Sequence, residues 1–427
     1  MRVCATYRSS KDDDGRKGCR EYRLDAFDTL PETDDETVIT LCGKDISLVP
    51  NDFTGLVDVG DYDIPCGFKK IVSHHDFEGT PSSEEIVSIL NSNGAEVTKG
   101  AFSVNSFMDL VSILEASKTL SRRHVLLGMG ETGTVTRLRQ RILGNEFTFG
   151  YVGEPTAPGQ LSADDMEALG DDCSIVGITG NLLGHTRSPA MQNAAIMTAG
   201  LNAIYLKFPS ADVDGLREAM IGYDIRGMNV TIPHKSSVIE QMDSLSKTAE
   251  SIGAVNTIIN ENGKLIGDNT DSKGVIFAFR DNIPDVGSKA LIMGSGGAAR
   301  AAAHAMLEMG CEVTVSGRNK ETVSAIAKEF SVTGVSKADA MDHDIIINCT
   351  PIGMESTGTY PAELSLKNDH IVFDAVYNRI TPLVEQAQRT GCTILKGLDM
   401  LIGQGAESFR LWFETDASTD AMRKVLE

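Results

Sequence analysis

A glycine-rich turn, Gly294-Ser295-Gly296-Gly297-Ala298-Ala299, follows the apolar run Lys289-Ala290-Leu291-Ile292-Met293 and opens a helical pattern that reaches Met309. In that context backbone N–H groups and the positive helix end approach a pyrophosphate closely, so the segment reads as a dinucleotide site. The next strand, Glu312-Val313-Thr314-Val315, runs into Ser316-Gly317-Arg318-Asn319-Lys320. A carboxylate there would bond a ribose 2′-hydroxyl, whereas Arg318 suits a 2′-phosphate, so NADP is expected over NAD. Upstream stand Asn229-Val230-Thr231-Ile232-Pro233-His234-Lys235 and Gly267-Asp268-Asn269-Thr270-Asp271. Reducing a ketone with NADPH needs a hydride donor and a proton source for the developing alkoxide, and a positioned lysine and carboxylate suffice without a metal. Taken singly, Lys235 more often reads as a solvated helix residue and Asp271 as a helix N-cap.

These groups need elements to hold them. Eight short runs rich in β-branched residues precede residue 151: Val3 to Tyr7, Glu21 to Asp25, Val38 to Leu41, Leu56 to Val59, Lys70 to Ser73, Glu96 to Lys99, His124 to Gly128 and Phe147 to Gly150. They imply a (β/α)8 barrel with its site at the strand C-terminal ends, where Arg23, His75, Lys99 and Arg137 fall at or just past the runs. The third and fourth connections, about fourteen and nine residues long, are short for helical crossovers, so at least one barrel helix is expected to be missing. The flank of strands four and five should then need cover from the C-terminal half or from a second subunit. Ser162 to Leu169 reads as a short helix with Ser162 as N-cap and Gly170 as stop, placing a domain boundary near residue 171. Ser174-Ile175-Val176-Gly177-Ile178 opens a second α/β unit and Lys289 a third.

At 427 residues the chain exceeds one ordinary core. A formal charge of −21 argues against a nucleic-acid surface, which needs clustered Lys and Arg. No apolar run approaches the roughly 18 residues that span a bilayer, so a cytosolic protein without membrane contact is expected. The 8 cysteines lack CxxC or metal spacing and read as reduced thiols; no metal site is expected.

Together with Gly184-His185-Thr186-Arg187-Ser188-Pro189 and Ala254-Val255-Asn256-Thr257, the Lys235 and Asp271 segments closely resemble the shikimate dehydrogenases over roughly residues 172 to 427. The resemblance implies a two-lobed unit: residues 171–272 plus about 400–427 as substrate lobe, and 273–399 as an NADP-binding Rossmann lobe. It implies Lys235 and Asp271 as the catalytic pair and Thr186 and Ser188 on the substrate carboxylate. Asn229, Thr231, Asn256 and Gln404 would hold ring hydroxyls, with Tyr377 near the nicotinamide. Gly294, Gly296, Gly297, Ala298, Ser316, Arg318, Asn319 and Thr350 would contact the cofactor. Thr186 stands where the family commonly has Ser, which leaves quinate open as a substrate.

Residues 1–170 resemble type I 3-dehydroquinate dehydratase. Ile71-Val72-Ser73-His74-His75-Asp76-Phe77, Lys99, Gly130-Glu131-Thr132-Gly133-Thr134-Val135-Thr136-Arg137 and Thr156-Ala157-Pro158-Gly159-Gln160 follow that family's order. The resemblance implies Lys99 as the Schiff-base lysine and His75 as the proton-transfer group. It puts Glu21, Arg23, Arg137, Thr156 and Gln160 on the substrate. An amine in an apolar barrel mouth is expected to lose its charge easily. Thr40-Leu41-Cys42-Gly43-Lys44-Asp45 departs from the family: Cys42 replaces an arginine and a glutamate that assists the histidine is lost, with Asp45 as the nearest stand-in. Slower dehydration is therefore expected. The fold class is thus an abbreviated (β/α)8 barrel followed by a two-lobed α/β dehydrogenase unit. The function implied is conversion of 3-dehydroquinate to 3-dehydroshikimate and then, with NADPH, to shikimate. A spent barrel serving as scaffold or dimerisation module, and a metabolite sensor without catalysis, are the competing readings.

Overall fold

The structure is a computed structural model that describes residues 1–427 apart from 10, 13, 28, 62–66, 156–158 and 354–357. All eight expected runs form strands: β1 (Val3–Tyr7), β2 (Arg20–Arg23), β3 (Thr37–Thr40), β4 (Leu56–Asp58), β5 (Lys69–Asp76), β6 (Val97–Ser103), β7 (His124–Met129) and β8 (Thr148–Val152). They pair in parallel in the order β7-β6-β5-β4-β3-β2-β1-β8. Most are buried along most of their length, with polar side chains on the face that looks into the barrel. Between β7 and β8 a single side chain replaces the missing ladder. Asn145 donates to Leu126 O at 2.8 Å and accepts from Leu126 N at 2.7 Å, while Glu146 N reaches His124 O at 2.9 Å. An amide offers the same donor and acceptor as a peptide unit, so the seam is nearly closed.

Helices α1 (Ser83–Asn91), α2 (Phe107–Thr119), α3 (Gly130–Leu138), α4 (Gln140–Leu143) and α5 (Ala163–Leu169) follow only the later strands. Capping boxes start α1 at Ser82 and α2 at Ser106, and Ser162 caps α5 as expected, with Gly170 at its end. Among the described residues no α-helix follows β1, β2, β3 or β4. The expectation that at least one barrel helix is missing is met. The loops themselves close the flank: Val49 and Phe53 are buried with Ile39, Val57, Val59 and Val72, and Ile46, Leu30 and Phe68 pack against them. These loops therefore give the flank apolar cover from within the barrel.

The described residues fall into two compact units, 1–186 with 202–228, and 187–201 with 229–427. In the first, strands Ser174–Gly180 and Ala203–Pro209 pair in parallel, and the α2–α3 face of the barrel meets the second of them. Phe107 stacks on Phe208 at 6.2 Å, Thr132 donates to Pro209 O at 3.0 Å, and Tyr223 Oη donates to Leu110 O at 2.9 Å. Arg139, 3% exposed, donates to Tyr223 O, Asp171 O, Cys173 O and Asp224 O at 2.8 to 3.2 Å. In the second unit six parallel strands run in the order Thr333–Val335, Glu312–Ser316, Lys289–Met293, Ile345–Asn348, Ile371–Asp374, Thr393–Lys396. The strand order reverses beside Lys289–Met293, which creates a crevice at its carboxyl end. Helices Asp271–Ala278 and Gly397–Phe413 approach closely, since a Cβ on Gly274 would meet Met400 O at 2.5 Å.

Arg139→Met should cost about 2 to 4 kcal/mol of stability, because four carbonyls, those of Tyr223 and Cys173 in buried bonds, lose their charged donor. Urea denaturation checks this; a midpoint within error of the parent would show that the guanidinium contributes little.

Candidate active sites

Strand register decides which side chains share the barrel interior. Thr6 pairs with Glu21, Arg23 with Thr40, and Ser73 with Lys99. Alternate residues share a face, so His75 lies on the Ser73 side of β5 and Arg23 on the Glu21 side of β2. These side chains line a cavity of about 540 Å³ with Asp58, Asp61, Cys42, Arg137, Phe149 and Gln160.

Lys99 is 7% exposed, with Nζ 3.0 Å from Asp58 Oδ2 and 4.6 Å from the Phe149 ring centroid. Burial works against the ammonium, but Asp58 and then Glu21 outweigh it and hold the Lys99 pKa above its ordinary value. The expectation that the barrel mouth strips this lysine of its charge is therefore wrong for the resting site: a buried counter-ion reverses the effect of burial. Asp58 is also favoured as the charged form. Burial opposes its carboxylate, yet Lys99, Ser73 Oγ at 2.7 Å and Gly60 N at 3.0 Å hold its pKa below the usual range. Sequence reasoning missed Asp58; the signal was a lone carboxylate inside the apolar run Leu56 to Val59.

His75 stacks on Phe77 at 6.1 Å. Burial first, and then the Lys99 charge, push it down to about 4, so the imidazole is neutral at pH 7 and can accept a proton. Glu21, 4% exposed, accepts from Thr6 and Thr40 hydroxyls at 2.6 Å each. Arg23 pairs with Asp25 through Nε and Nη2 at 3.2 and 3.1 Å. Arg137 sits on the last turn of α3, buried, with Nη1 on Phe149 O at 3.3 Å. Its Nε has no partner among the described residues, and burial lowers its pKa only to about 10, so it stays charged. A buried guanidinium without a carboxylate is prepared for an anion. Gln160 lines the cavity, while Thr156 lies outside the described residues. Asp45 does not replace the absent glutamate: it is exposed and caps a 3-10 turn through Ser47 N at 2.8 Å. Asp61 does line the cavity, and its charge acts on His75.

In the second unit Lys235 Nζ lies 2.5 Å from Asp271 Oδ2. The turn that carries Lys235 is tied down by Val255 N on Lys235 O at 2.7 Å and His234 N on Thr231 O at 3.0 Å. Asp271 Oδ1 accepts Asn256 Nδ2 at 2.8 Å, and its own N–H donates to Asn269 Oδ1 at 3.1 Å. Asn256 Oδ1 accepts Thr270 N at 2.8 Å, so its amide is largely committed to holding Asp271. Asn229 Nδ2 donates to Ser408 Oγ at 2.9 Å, and Ser408 joins Thr257 and Thr270 in a hydroxyl cluster that the sequence did not announce. Gln404 donates to Leu401 O at 2.9 Å on its own helix. Ser188 begins helix Ser188–Thr198 and is buried, while Thr186 belongs to the first unit.

A cavity of about 990 Å³ is lined by Gly294, Gly296, Gly297, Ala298, Arg318, Asn319, Thr350, Thr231 and Tyr377. Gly294 has φ +125°, and a Cβ there would meet Cys349 O at 2.8 Å, so only glycine fits this turn. Helix Gly297–Glu308 points its N-terminus at the cavity, and Arg318 is exposed at the edge; the residues fit a 2′-phosphorylated dinucleotide. Ser316 is the exception among the expected contacts. It is fully buried and its hydroxyl is spent on Pro361 O.

Residues 61–170 match the family model described as type I 3-dehydroquinase, 178–258 the shikimate dehydrogenase substrate binding domain, and 397–427 the shikimate 5′-dehydrogenase C-terminal domain. Residues 289–378 match a model of NADP oxidoreductase, coenzyme F420-dependent. The chain is 38% identical over 281 residues to the shikimate dehydrogenase (NADP(+)) of Dehalococcoides mccartyi, covering 61% of this chain and 97% of that one. It is 30% identical over 383 residues to the chloroplastic bifunctional 3-dehydroquinate dehydratase/shikimate dehydrogenase of Arabidopsis thaliana, covering 82% of this chain and 64% of that protein's length. The fold of the dehydroquinate dehydratase and shikimate dehydrogenase from S. pombe AroM spans 100% of this chain and 98% of that one, at TM-score 0.51 and 23% identity.

Followed by NMR, the His75 ring should titrate near 4 rather than near 6.5. Because the folded value is depressed, the associated stability is present above about 6.5 and lost as pH falls toward 4; a midpoint at the ordinary value would contradict the burial argument. Arg318→Ala should weaken binding of NADPH ten- to a hundredfold, the worth of about 1.5 to 3 kcal/mol for a charge-assisted contact, and leave NADH nearly unchanged. Fluorescence titration of both cofactors decides it.

Proposed function

The chain belongs to the shikimate dehydrogenase family, and we propose that it joins two activities, dehydrating 3-dehydroquinate to 3-dehydroshikimate and reducing that ketone to shikimate with NADPH. The observation that carries this reading is that each half holds its own lysine–carboxylate pair: Lys99 with Asp58 in the barrel cavity, and Lys235 with Asp271, with Lys235 Cδ 3.9 Å from where a Cβ on Gly297 would stand. Residues 1–170 carry the dehydratase and 171–427 the dehydrogenase, with 171–272 plus about 400–427 as substrate lobe and 273–399 as nucleotide lobe. A cytoplasmic protein and a homodimer complete the proposal. No helix among the described residues is long and apolar enough to cross a membrane.

In the barrel, Lys99 Nζ adds to the substrate ketone and forms an iminium, which withdraws electrons from the neighbouring carbon. Neutral His75 removes the proton there and returns it to the departing hydroxyl. Arg137 pairs with the substrate carboxylate, and Glu21, Arg23, Gln160 and Thr156 hold the ring. In the second unit Lys235 Nζ gives its proton to the oxygen as the alkoxide develops, while Asp271, fixed by Asn256 and Asn269, keeps Nζ aimed. NADPH, when bound, supplies the hydride. Thr186 and Ser188 take the carboxylate, and Asn229, Thr231, Gln404 and Tyr377 border the ring. Cys42 in the cavity wall favours a second, narrower reading in which the barrel turns over slowly.

Borohydride added with 3-dehydroquinate should leave substrate mass on Lys99, and dehydration without an adduct there would refute the imine. Lys235→Ala or Asp271→Ala should slow ketone reduction by roughly two to four decades while dehydration persists. Equal loss of NADPH binding would point to a structural part for the pair instead.

A further inference from the structure

We infer that Asp58 is a catalytic residue of the barrel site, carrying one proton from the Lys99 ammonium to the hydroxyl that leaves as the imine forms. The inference rests on the imine chemistry proposed for Lys99. Asp58 ends β4, Lys99 sits on β6, and β5 between them supplies Ser73, the register partner of Lys99. One carboxylate oxygen is anchored: Oδ1 accepts Ser73 Oγ at 2.7 Å and Gly60 N at 3.0 Å. The other, Oδ2, faces Nζ at 3.0 Å. With Asp58 1% exposed and Lys99 7% exposed, bulk water is poorly placed to take the ammonium proton.

The other groups facing Nζ are less suited. Glu21 is engaged by two threonine hydroxyls at 2.6 Å. Phe149 offers only its ring face. His75 already has the carbon-bound proton to move in the dehydration proposed above.

The step balances within the pair. Asp58 Oδ2 takes one proton from Nζ, and the freed amine forms a bond to the ketone carbon as the carbonyl π bond opens. A nitrogen proton moves to the new alkoxide, giving a neutral carbinolamine. Protonated Asp58 then delivers its proton to that hydroxyl, the C–O bond breaks, water departs and the nitrogen lone pair closes the C=N bond. Nζ carries a single positive charge at the start and at the end, so Asp58 is its counter-ion in both states. Hydrolysis of the product imine runs the same transfers in reverse.

The test is rapid-quench borohydride trapping with 3-dehydroquinate on the full chain, read by mass at Lys99. Asp58→Asn should slow adduct formation at least about a hundredfold, with shikimate oxidation unchanged. Asp58→Glu should recover much of the rate. Trapping by Asp58→Asn at the parent rate, with only later turnover or KM altered, would overturn the inference and leave Asp58 a structural partner. Should Asp58→Asn fail to fold, single-turnover imine formation by the parent in deuterated water decides: slowing of roughly twofold or more supports the proton transfer, and equal rates overturn it. A parent protein that dehydrates substrate without any Lys99 adduct would overturn the imine reading itself.

Discussion

A lysine taken out of water must bring an anion with it. Removing an ammonium from solvent costs several kcal/mol even after relaxation, and only close, well-bonded carboxylates offset it. Lys99 and Lys235 both meet that requirement, and the two pairs differ in how the carboxylate is held. Asp58 is anchored by a hydroxyl and a backbone N–H in a nearly dry wall. Asp271 is held by two asparagine side chains, of which Asn256 is tied to the Thr257 and Thr270 hydroxyls and Asn269 to Ala254 O. The Lys235 side chain is 23% exposed and the Lys99 side chain 9%, so the second pair keeps a path to water that the first lacks.

The framework was legible because it repeats and because its signals are local. Eight β-branched runs, the Ser162 cap and the Gly294 turn each announce their element in a few residues, and each element is present. What the sequence hid was relational. Asp58 and Lys99 lie 41 positions apart, and only the pairing of β4, β5 and β6 brings them together. Without that carboxylate, burial alone governs the expected charge of Lys99, and the expectation takes the wrong sign. Ser316 failed for a similar reason: a hydroxyl at the end of the right strand was taken by Pro361 O from a distant loop.

The four strands without helices carry a lesson about cover. A strand buried on both faces needs apolar area against it, not a helix as such. The β3–β4 loop supplies Ile46, Val49 and Phe53, enough to complete that flank. Helices persist after β5 to β8, and it is α2 and α3 that also meet the strand Ala203–Pro209.

Arg137 and Arg139 stand two positions apart and face different surroundings, one the barrel cavity and the other the carbonyls of residues 171–173 and 223–224. The helix ends between them, at Leu138, and Arg139 leaves helical geometry at φ −122° and ψ 45°. There is no slack in this stretch. One residue inserted or deleted would take a guanidinium out of its place on one side or on both. Length variation among natural variants should therefore collect in the loops after the first four strands and avoid the α3–α4 junction, so that the tolerance of this chain to change follows where its cations point rather than how exposed its backbone is.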